Sequence, residues 1–79
     1  MKKVIVFSAK WCVNCTTQKA VLDKAGIVYE VVDVDVEMQK AKEFSVRSLP
    51  TTFILEDNVK LKTFIGAVNV AEIKELLGE

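Results

Sequence analysis

The chain alternates between short apolar runs and stretches in which apolar residues recur at helical spacing. Residues 3–8 predict a first strand that is buried on both faces, and the β-branched residues of 28–35 predict a second, central strand. Residues 13–25 predict a helix between them that ends at Gly26, with Thr17, Ala20, Val21 and Ala25 along one side. This order predicts a βαβ unit with parallel strands and a right-handed crossover.

A short helix and a hairpin follow the βαβ unit. Residues 37–44 predict a helix whose apolar stripe, Met38, Ala41 and Phe44, belongs to the core. Residues 52–56 predict a third strand. Asp57-Asn58 then predicts a two-residue turn into a fourth strand, which has one face more exposed than the other.

The last helix carries the clearest signals for its start. Asn69 predicts an N-cap, Glu72 three residues later completes a capping box, and Val68 is placed to pack against Ile73. The core face of this helix contains Val70, Ile73, Leu76 and Leu77. The complete order is β-α-β-α-β-β-α, which predicts an α/β fold with a mixed four-stranded sheet and three helices.

Composition narrows the class of protein without identifying a function. The length of 79 residues predicts one domain, residues 1–79. Apolar residues make up 51% of the chain and charged residues 28%, a composition that is typical of a folded soluble domain. The 11 basic and 11 acidic residues balance, so there is no charge excess for nucleic acid or an anionic membrane. The apolar run after Lys2-Lys3 is too short for a signal peptide, and no run reaches transmembrane length. We expect a cytoplasmic monomer that acts away from membranes.

The chemistry of the chain is concentrated in its two cysteines, Cys12 and Cys15. They follow the first predicted strand and open the first predicted helix, and the two residues between them allow a disulfide to close. Unpaired N–H groups at a helix N-terminus favour a thiolate at the first cysteine. We expect Cys12 to attack a partner disulfide and Cys15 to resolve the mixed disulfide, with no cofactor.

A metal site is the alternative interpretation of the same pair. Zinc usually takes four ligands, and the chain has no histidine and no third cysteine. A dimer could still pool two pairs around a metal or a cluster. A dimeric carrier, or a binding module, therefore stays open as an alternative to an enzyme.

Three segments, taken with the element order, resemble the thioredoxin superfamily over nearly the whole chain. They are Trp11-Cys12-Val13-Asn14-Cys15, Val46-Arg47-Ser48-Leu49-Pro50-Thr51 and Ile65-Gly66-Ala67. The resemblance implies a thioredoxin-like fold in which the Leu49–Pro50 bond is cis and faces the cysteines. It also implies a set of substrate-binding residues, which are Trp11, Leu49, Pro50 and Gly66.

The resemblance further implies a protein-disulfide reductase that serves electron transport and cell redox homeostasis. Its substrates would be disulfide-containing proteins, and a flavin-dependent thioredoxin reductase would recycle it. The short length and residues 26–35 also resemble glutaredoxins. A glutathione-recycled glutaredoxin, or a dedicated electron donor to ribonucleotide reductase, therefore stays open as an alternative.

Two departures from the superfamily's pattern bear on the mechanism. Val6 occupies the position of a buried Asp that in thioredoxins assists proton transfer to the resolving cysteine, and Val31 that of its Lys partner. The Gly-Gly pair and the Asp of the glutaredoxin glutathione site are absent from residues 66–69. Because neither Val13 nor Asn14 adds positive charge between the sulfurs, we expect a reducing rather than a strongly oxidising enzyme.

Overall fold

Four strands and three helices make up the structure, a computed structural model that describes residues 1–78. In chain order they are β1 (Lys2–Ser8), α1 (Val13–Lys24), β2 (Glu30–Asp33), α2 (Met38–Glu43), β3 (Thr51–Glu56), β4 (Val59–Ile65) and α3 (Val70–Leu77). The strands form one mixed sheet in the order β2-β1-β3-β4, with β1 and β2 parallel and the other neighbours antiparallel. The predicted fold is confirmed. Glu79, the last residue of the predicted domain, lies outside the described residues.

Strand β1 lies inside the sheet, and its side chains supply both layers of the core. The face under α1 and α3, called here the α1/α3 core, buries Val4, Val6, Leu22, Ile27, Ile54, Phe64 and Ile73. The face under α2, called here the α2 core, buries Ile5, Phe7, Val32, Phe53 and Leu55. Alternate residues of a strand point to opposite faces, so a strand covered on both sides needs an unbroken apolar run. The predicted burial of both faces of the first strand is confirmed.

Strand β2 is shorter and less central than predicted. The sequence predicts a central strand over residues 28–35, whereas β2 spans Glu30–Asp33 and lies at one edge of the sheet. Val28 lies outside the strand and is 90% exposed. Asp33 ends the strand, because its carboxylate accepts a hydrogen bond from the backbone N–H of Asp35 at 2.9 Å and so forms a local turn.

Helix α1 buries a different side from the predicted one. Its buried side chains are Cys15, Gln18 and Leu22. The predicted side is largely open: Thr17, Ala20 and Val21 are exposed, and Ala25 is half-buried. The buried residues do follow helical spacing, but a pattern based on aliphatic residues does not include the thiol of Cys15 or the amide of Gln18.

Helix α2 only partly contributes the predicted apolar stripe. Ala41 and Phe44 pack against the α2 core, as predicted. Met38, the first residue of the helix, is 64% exposed, so its predicted place in the core is wrong. The helix has only six residues, and its C-terminal half is the part that packs against the sheet.

The β3–β4 hairpin turns where the sequence predicts. Asp57 and Asn58 have φ values of 50° and 71°, and two consecutive positive φ values are what a type I′ hairpin turn requires. Strand β3 is buried from Thr51 to Leu55. Strand β4 forms the second edge of the sheet and is exposed except at Phe64, so its two faces differ by that one side chain.

Helix α3 begins as predicted, with one difference. The side-chain oxygen of Asn69 accepts a hydrogen bond from the backbone N–H of Glu72 at 3.0 Å, and Val68 packs on the same core as Ile73. The Glu72 carboxylate does not complete the capping box in the described part of the chain; it pairs with Lys62 at 3.3 Å. The predicted core face is confirmed, since Val70, Ile73, Leu76 and Leu77 all belong to the α1/α3 core or pack against it.

Candidate active site

The two cysteines lie at the start of helix α1, shortly after strand β1 ends. Cys12 is the N-cap of α1, with φ −87° and ψ 103°, and a disulfide joins it to Cys15 across a Cα–Cα distance of 5.2 Å. The backbone N–H of Cys15 donates to the Cys12 sulfur at 3.2 Å. A sulfur at an N-cap receives helix N–H groups in the same way as a capping oxygen, and these groups stabilise negative charge. The geometry favours a thiolate at Cys12 once the disulfide is reduced.

The two sulfurs differ in their access to the surface. Cys12 keeps 7% of its surface exposed, whereas Cys15 is fully buried. Both belong to a small apolar cluster with Ala9, against which Val34 and Leu49 pack. A partner can therefore approach Cys12 but not Cys15.

The predicted cis-proline loop lies beside the cysteines. The Leu49–Pro50 bond is cis, as predicted, and Leu49 packs against the cluster that holds both sulfurs. The Pro50 carbonyl accepts a hydrogen bond from the backbone N–H of Gly66 at 2.9 Å. Gly66 has a φ of 84°, a conformation that glycine adopts at no steric cost. These contacts bring together the three segments that carry the resemblance.

Trp11 lies on the surface beside the first cysteine. Its side chain is 69% exposed, and its indole N–H donates to the carboxylate of Asp35 at 2.9 Å. This hydrogen bond fixes the orientation of an otherwise exposed ring. The sequence does not predict Asp35 as a site residue, because it lies 24 residues away from Trp11 and no spacing rule links the two.

A groove of about 490 Å³ opens in front of Cys12. Its lining consists of Trp11, Cys12, Val13, Asn14, Val34, Ala41, Val46, Arg47 and Leu49. Cys15 is not part of this lining, and Arg47 contributes its only charge. The groove is therefore an apolar channel with one cationic side chain, and it leads to the more accessible sulfur.

A second hollow of about 320 Å³ lies against the cis-proline. It is lined by Asn14, Thr17, Gln18, Leu49, Pro50, Gly66 and Ala67. Leu49 and Asn14 line both hollows. The four predicted substrate-binding residues are thus distributed over two adjoining hollows, with Trp11 in the groove, Pro50 and Gly66 in the second hollow, and Leu49 between them.

The interior behind the cysteines holds a valine, and no acid, at position 6. Val6 is fully buried in the α1/α3 core, and Val31 is 45% exposed on the edge strand β2. Across residues 1–78, no group of three or more His, Cys, Asp or Glu side chains is placed to hold a metal ion.

A helix-capping cysteine, disulfide-bonded to a buried cysteine and set beside a cis-proline, defines a site for thiol–disulfide exchange. A family model described as Thioredoxin matches residues 1–79, so the chain belongs to the thioredoxin family. The thioredoxin of Mycoplasmoides gallisepticum is 34% identical over 82 residues, which cover 96% of this chain and 82% of that protein.

Solved structures agree with the family assignment. A thioredoxin-2 from a malaria parasite gives a TM-score of 0.86 at 32% identity, covering 99% of this chain and 82% of that one. The thioredoxin of Malassezia sympodialis gives a TM-score of 0.78 at 30% identity, covering 98% of this chain and 72% of that one. The protein is a thiol–disulfide oxidoreductase of the protein-disulfide reductase type, and the comparisons do not favour the glutaredoxin alternative.

Proposed function

We propose that Cys12 is the attacking thiol and Cys15 the resolving thiol of this reductase. The observation that carries the proposal is the difference in access: Cys12 lines the groove, whereas Cys15 is fully buried behind it. A second argument is electrostatic, because the N-cap position of Cys12 favours its thiolate form.

The reaction follows as two exchanges. The Cys12 thiolate attacks one sulfur of the substrate disulfide, and the other substrate sulfur leaves as a thiolate that takes a proton from solvent. Cys15, after losing its proton to solvent, attacks the Cys12 sulfur. A Cys12–Cys15 disulfide forms, and the bond from Cys12 to the substrate breaks. Two electrons pass from the dithiol to the substrate, which is released with both of its sulfurs reduced.

We propose that an extended substrate segment binds across Trp11, Leu49, Pro50 and Gly66. Within residues 1–78, the backbone N–H and C=O of Leu49 have no hydrogen-bond partner. They are available for strand-like pairing with a substrate backbone. A Cβ at Gly66 would meet nothing within 4 Å, so the chain leaves room for a partner there. The groove lining favours an apolar side chain beside the reacting disulfide, and Arg47 favours an acidic one at its rim.

We propose that a flavin-dependent thioredoxin reductase recycles the disulfide, in support of electron transport and redox homeostasis. Family membership supports this partner. We further propose that residues 1–79 act as a single domain, as a monomer, in the cytoplasm. The balanced charge supports solution chemistry with proteins rather than nucleic acid or membrane lipid. In the described residues, none of the helices is long and apolar enough to cross a bilayer.

The roles of the cysteines are tested with two matched serine variants. Cys15→Ser should trap a mixed disulfide with a substrate such as insulin, because the resolving thiol is gone. Cys12→Ser should trap none and should lose turnover completely. Non-reducing electrophoresis and intact-mass measurement follow both outcomes. Trapping by Cys12→Ser alone would reverse the two roles.

The recycling partner is tested by running insulin-disulfide reduction with two systems in parallel. Turnover with NADPH and a thioredoxin reductase is expected, with little turnover from glutathione and glutathione reductase. Turnover with glutathione alone would favour the glutaredoxin alternative.

Metal analysis of protein purified without reductant tests the carrier alternative. Stoichiometric zinc or iron, together with an absence of reductase activity, would establish that alternative.

A further inference from the structure

Gln18 is a polar residue in an interior position of helix α1. Its side chain is 5% exposed, and it lies on the buried side of the helix with Cys15 and Leu22. The side-chain N–H₂ nitrogen is fully enclosed and has no hydrogen-bond partner within residues 1–78. A buried donor without an acceptor costs free energy, so such a group calls for an explanation.

Gln18 lies one helical turn after the resolving cysteine, on the same buried side of α1. Residues three apart are neighbours on a helix surface, and long helical side chains lean back toward the N-terminus. The residue three positions before Gln18 is Cys15, whose side chain is fully buried. The two also share a neighbour, since Leu49 lines the hollow with Gln18 and packs against the cluster that holds Cys15.

No carboxylate shares this interior with Cys15. The buried side chains clustered with its sulfur are Ala9 and Cys12, and Val34 and Leu49 pack against them. Charged side chains on the surrounding elements are exposed or half-buried, namely Lys10, Lys19, Asp33, Asp35 and Arg47. Cys12 is therefore the one other titratable group in the cluster, and its replacement by serine isolates Cys15.

We infer that Gln18 donates a side-chain N–H hydrogen bond to the Cys15 thiolate and holds that thiolate ready for the resolving step. Cys15 first loses its proton to solvent, and Gln18 keeps its own protons throughout. The thiolate then attacks the Cys12 sulfur, forming the Cys12–Cys15 disulfide and releasing the substrate thiolate. The inference rests on the proposed role of Cys15 as the resolving thiol.

Within residues 1–78, the donor is unpaired in the disulfide form, where no sulfur lies in a position to accept from it. A disulfide sulfur carries no net charge and accepts hydrogen bonds weakly, whereas a thiolate is a strong acceptor. Reduction frees the Cys15 sulfur from Cys12, and the bond to Gln18 forms only then. A neutral donor takes over the stabilisation of charge, and no buried acid is required at Val6.

The test is a titration of Cys15 in the Cys12→Ser background, followed by the ultraviolet absorbance of the thiolate. Gln18→Met keeps the length and volume of the side chain and removes the donor. It should raise the pH midpoint of thiolate formation by about one unit, the size expected for a charged hydrogen bond. Gln18→Glu exchanges the donor for a carboxylate oxygen, so its midpoint should rise at least as far.

Gln39→Met is the matched control, since Gln39 is exposed on α2 and lines neither hollow. It should leave the midpoint unchanged. In the chain with both cysteines, Gln18→Met should slow resolution of a mixed disulfide about threefold at neutral pH, because a tenfold loss of thiolate is partly offset by its higher nucleophilicity. Formation of that mixed disulfide should stay unchanged. An unmoved midpoint in Gln18→Met, or an equal shift in Gln39→Met, would overturn the inference.

Failure of the inference can be told apart from failure of the proposed function. The titration measures a thiol and needs no substrate. Reductase assays on the unmodified chain, together with trapping by Cys15→Ser, test the proposed function independently. Active protein with an unmoved Gln18→Met midpoint rejects only the role of Gln18.

Discussion

Cys12 and Cys15 have the same side chain, but the start of helix α1 gives them different chemistry. Cys12 caps the helix and receives the N–H of Cys15, while Cys15 is the third residue of the helix and fully buried. The free N–H groups of the first turn point out of the N-terminal end of the helix, where the Cys12 sulfur accepts one of them, and they stabilise negative charge there. Cys12 is therefore accessible to a partner in a position that favours its thiolate, whereas Cys15 is enclosed by the protein interior.

Thr52 gives a prediction at the scale of a single residue. Its hydroxyl is fully buried beside Val6 on strand β3 and has no hydrogen-bond partner within residues 1–78. Thr52→Val keeps the shape and replaces the unpaired hydroxyl with a methyl group. It should raise the free energy of unfolding by about 1 kcal/mol.

Urea denaturation of oxidised protein measures this change. Thr63→Val on the exposed strand β4 is the matched control and should stay within about 0.5 kcal/mol of the unmodified chain. A destabilised Thr52→Val would mean that the buried hydroxyl does have a partner in solution.

At the scale of elements, the boundaries of helices depend on single hydrogen bonds. Asn69 fixes the first residue of α3 through its bond to Glu72, and Gly78 ends the helix in the left-handed conformation with a φ of 81°. Both residue types are the ones that these positions favour, so the start and end of α3 are encoded locally.

Asn69→Ala tests the contribution of the cap. The variant removes the acceptor for the Glu72 N–H and should lower the free energy of unfolding by about 1 kcal/mol. Asn69→Asp keeps an acceptor of the same reach and should remain close to the unmodified chain. Chemical denaturation compares the two. An equal loss in both variants would show that the bond to Glu72 contributes nothing.

The edge position of β2 could not be derived from its composition. A run rich in valine predicts a strand, but it does not state how many neighbours the strand will have. In the fold, β1 pairs with both β2 and β3, which leaves β2 with one neighbour and Val31 45% exposed. Likewise, Gln18 lies on the buried side of α1, but an apolar pattern does not predict this because glutamine is polar.

At the scale of the whole molecule, the two core layers meet at strand β1. Phe7 is fully buried and packs against the rings of Phe44 and Phe53, with centroids 5.2 and 5.4 Å away. These rings come from β1, from the end of α2 and from β3, so one aromatic cluster ties the α2 side of the sheet together. A chain of this size has little surplus stability beyond such clusters.

Phe7→Ala should remove most of the stability of the domain. The expected loss is about 3 to 5 kcal/mol, against a total of about 5 to 15 kcal/mol for an ordinary domain. Phe7→Leu keeps most of the volume and should lose clearly less. Thermal unfolding followed by circular dichroism ranks the two variants. Similar losses would show that the aromatic contacts, rather than the filled volume, hold this face together.

Local patterns in the sequence predicted the order of the elements, the central buried strand, the hairpin turn and the cap of α3. They also pointed to the cysteine pair and the cis-proline loop. These features depend on local patterns or short motifs. The packing of the elements shows that Cys12 lines the groove, that Asp35 orients Trp11, and that the Gln18 amide nitrogen is buried without a partner among residues 1–78. Each of these depends on contacts with parts of the chain that are distant in sequence, and local patterns do not encode such contacts.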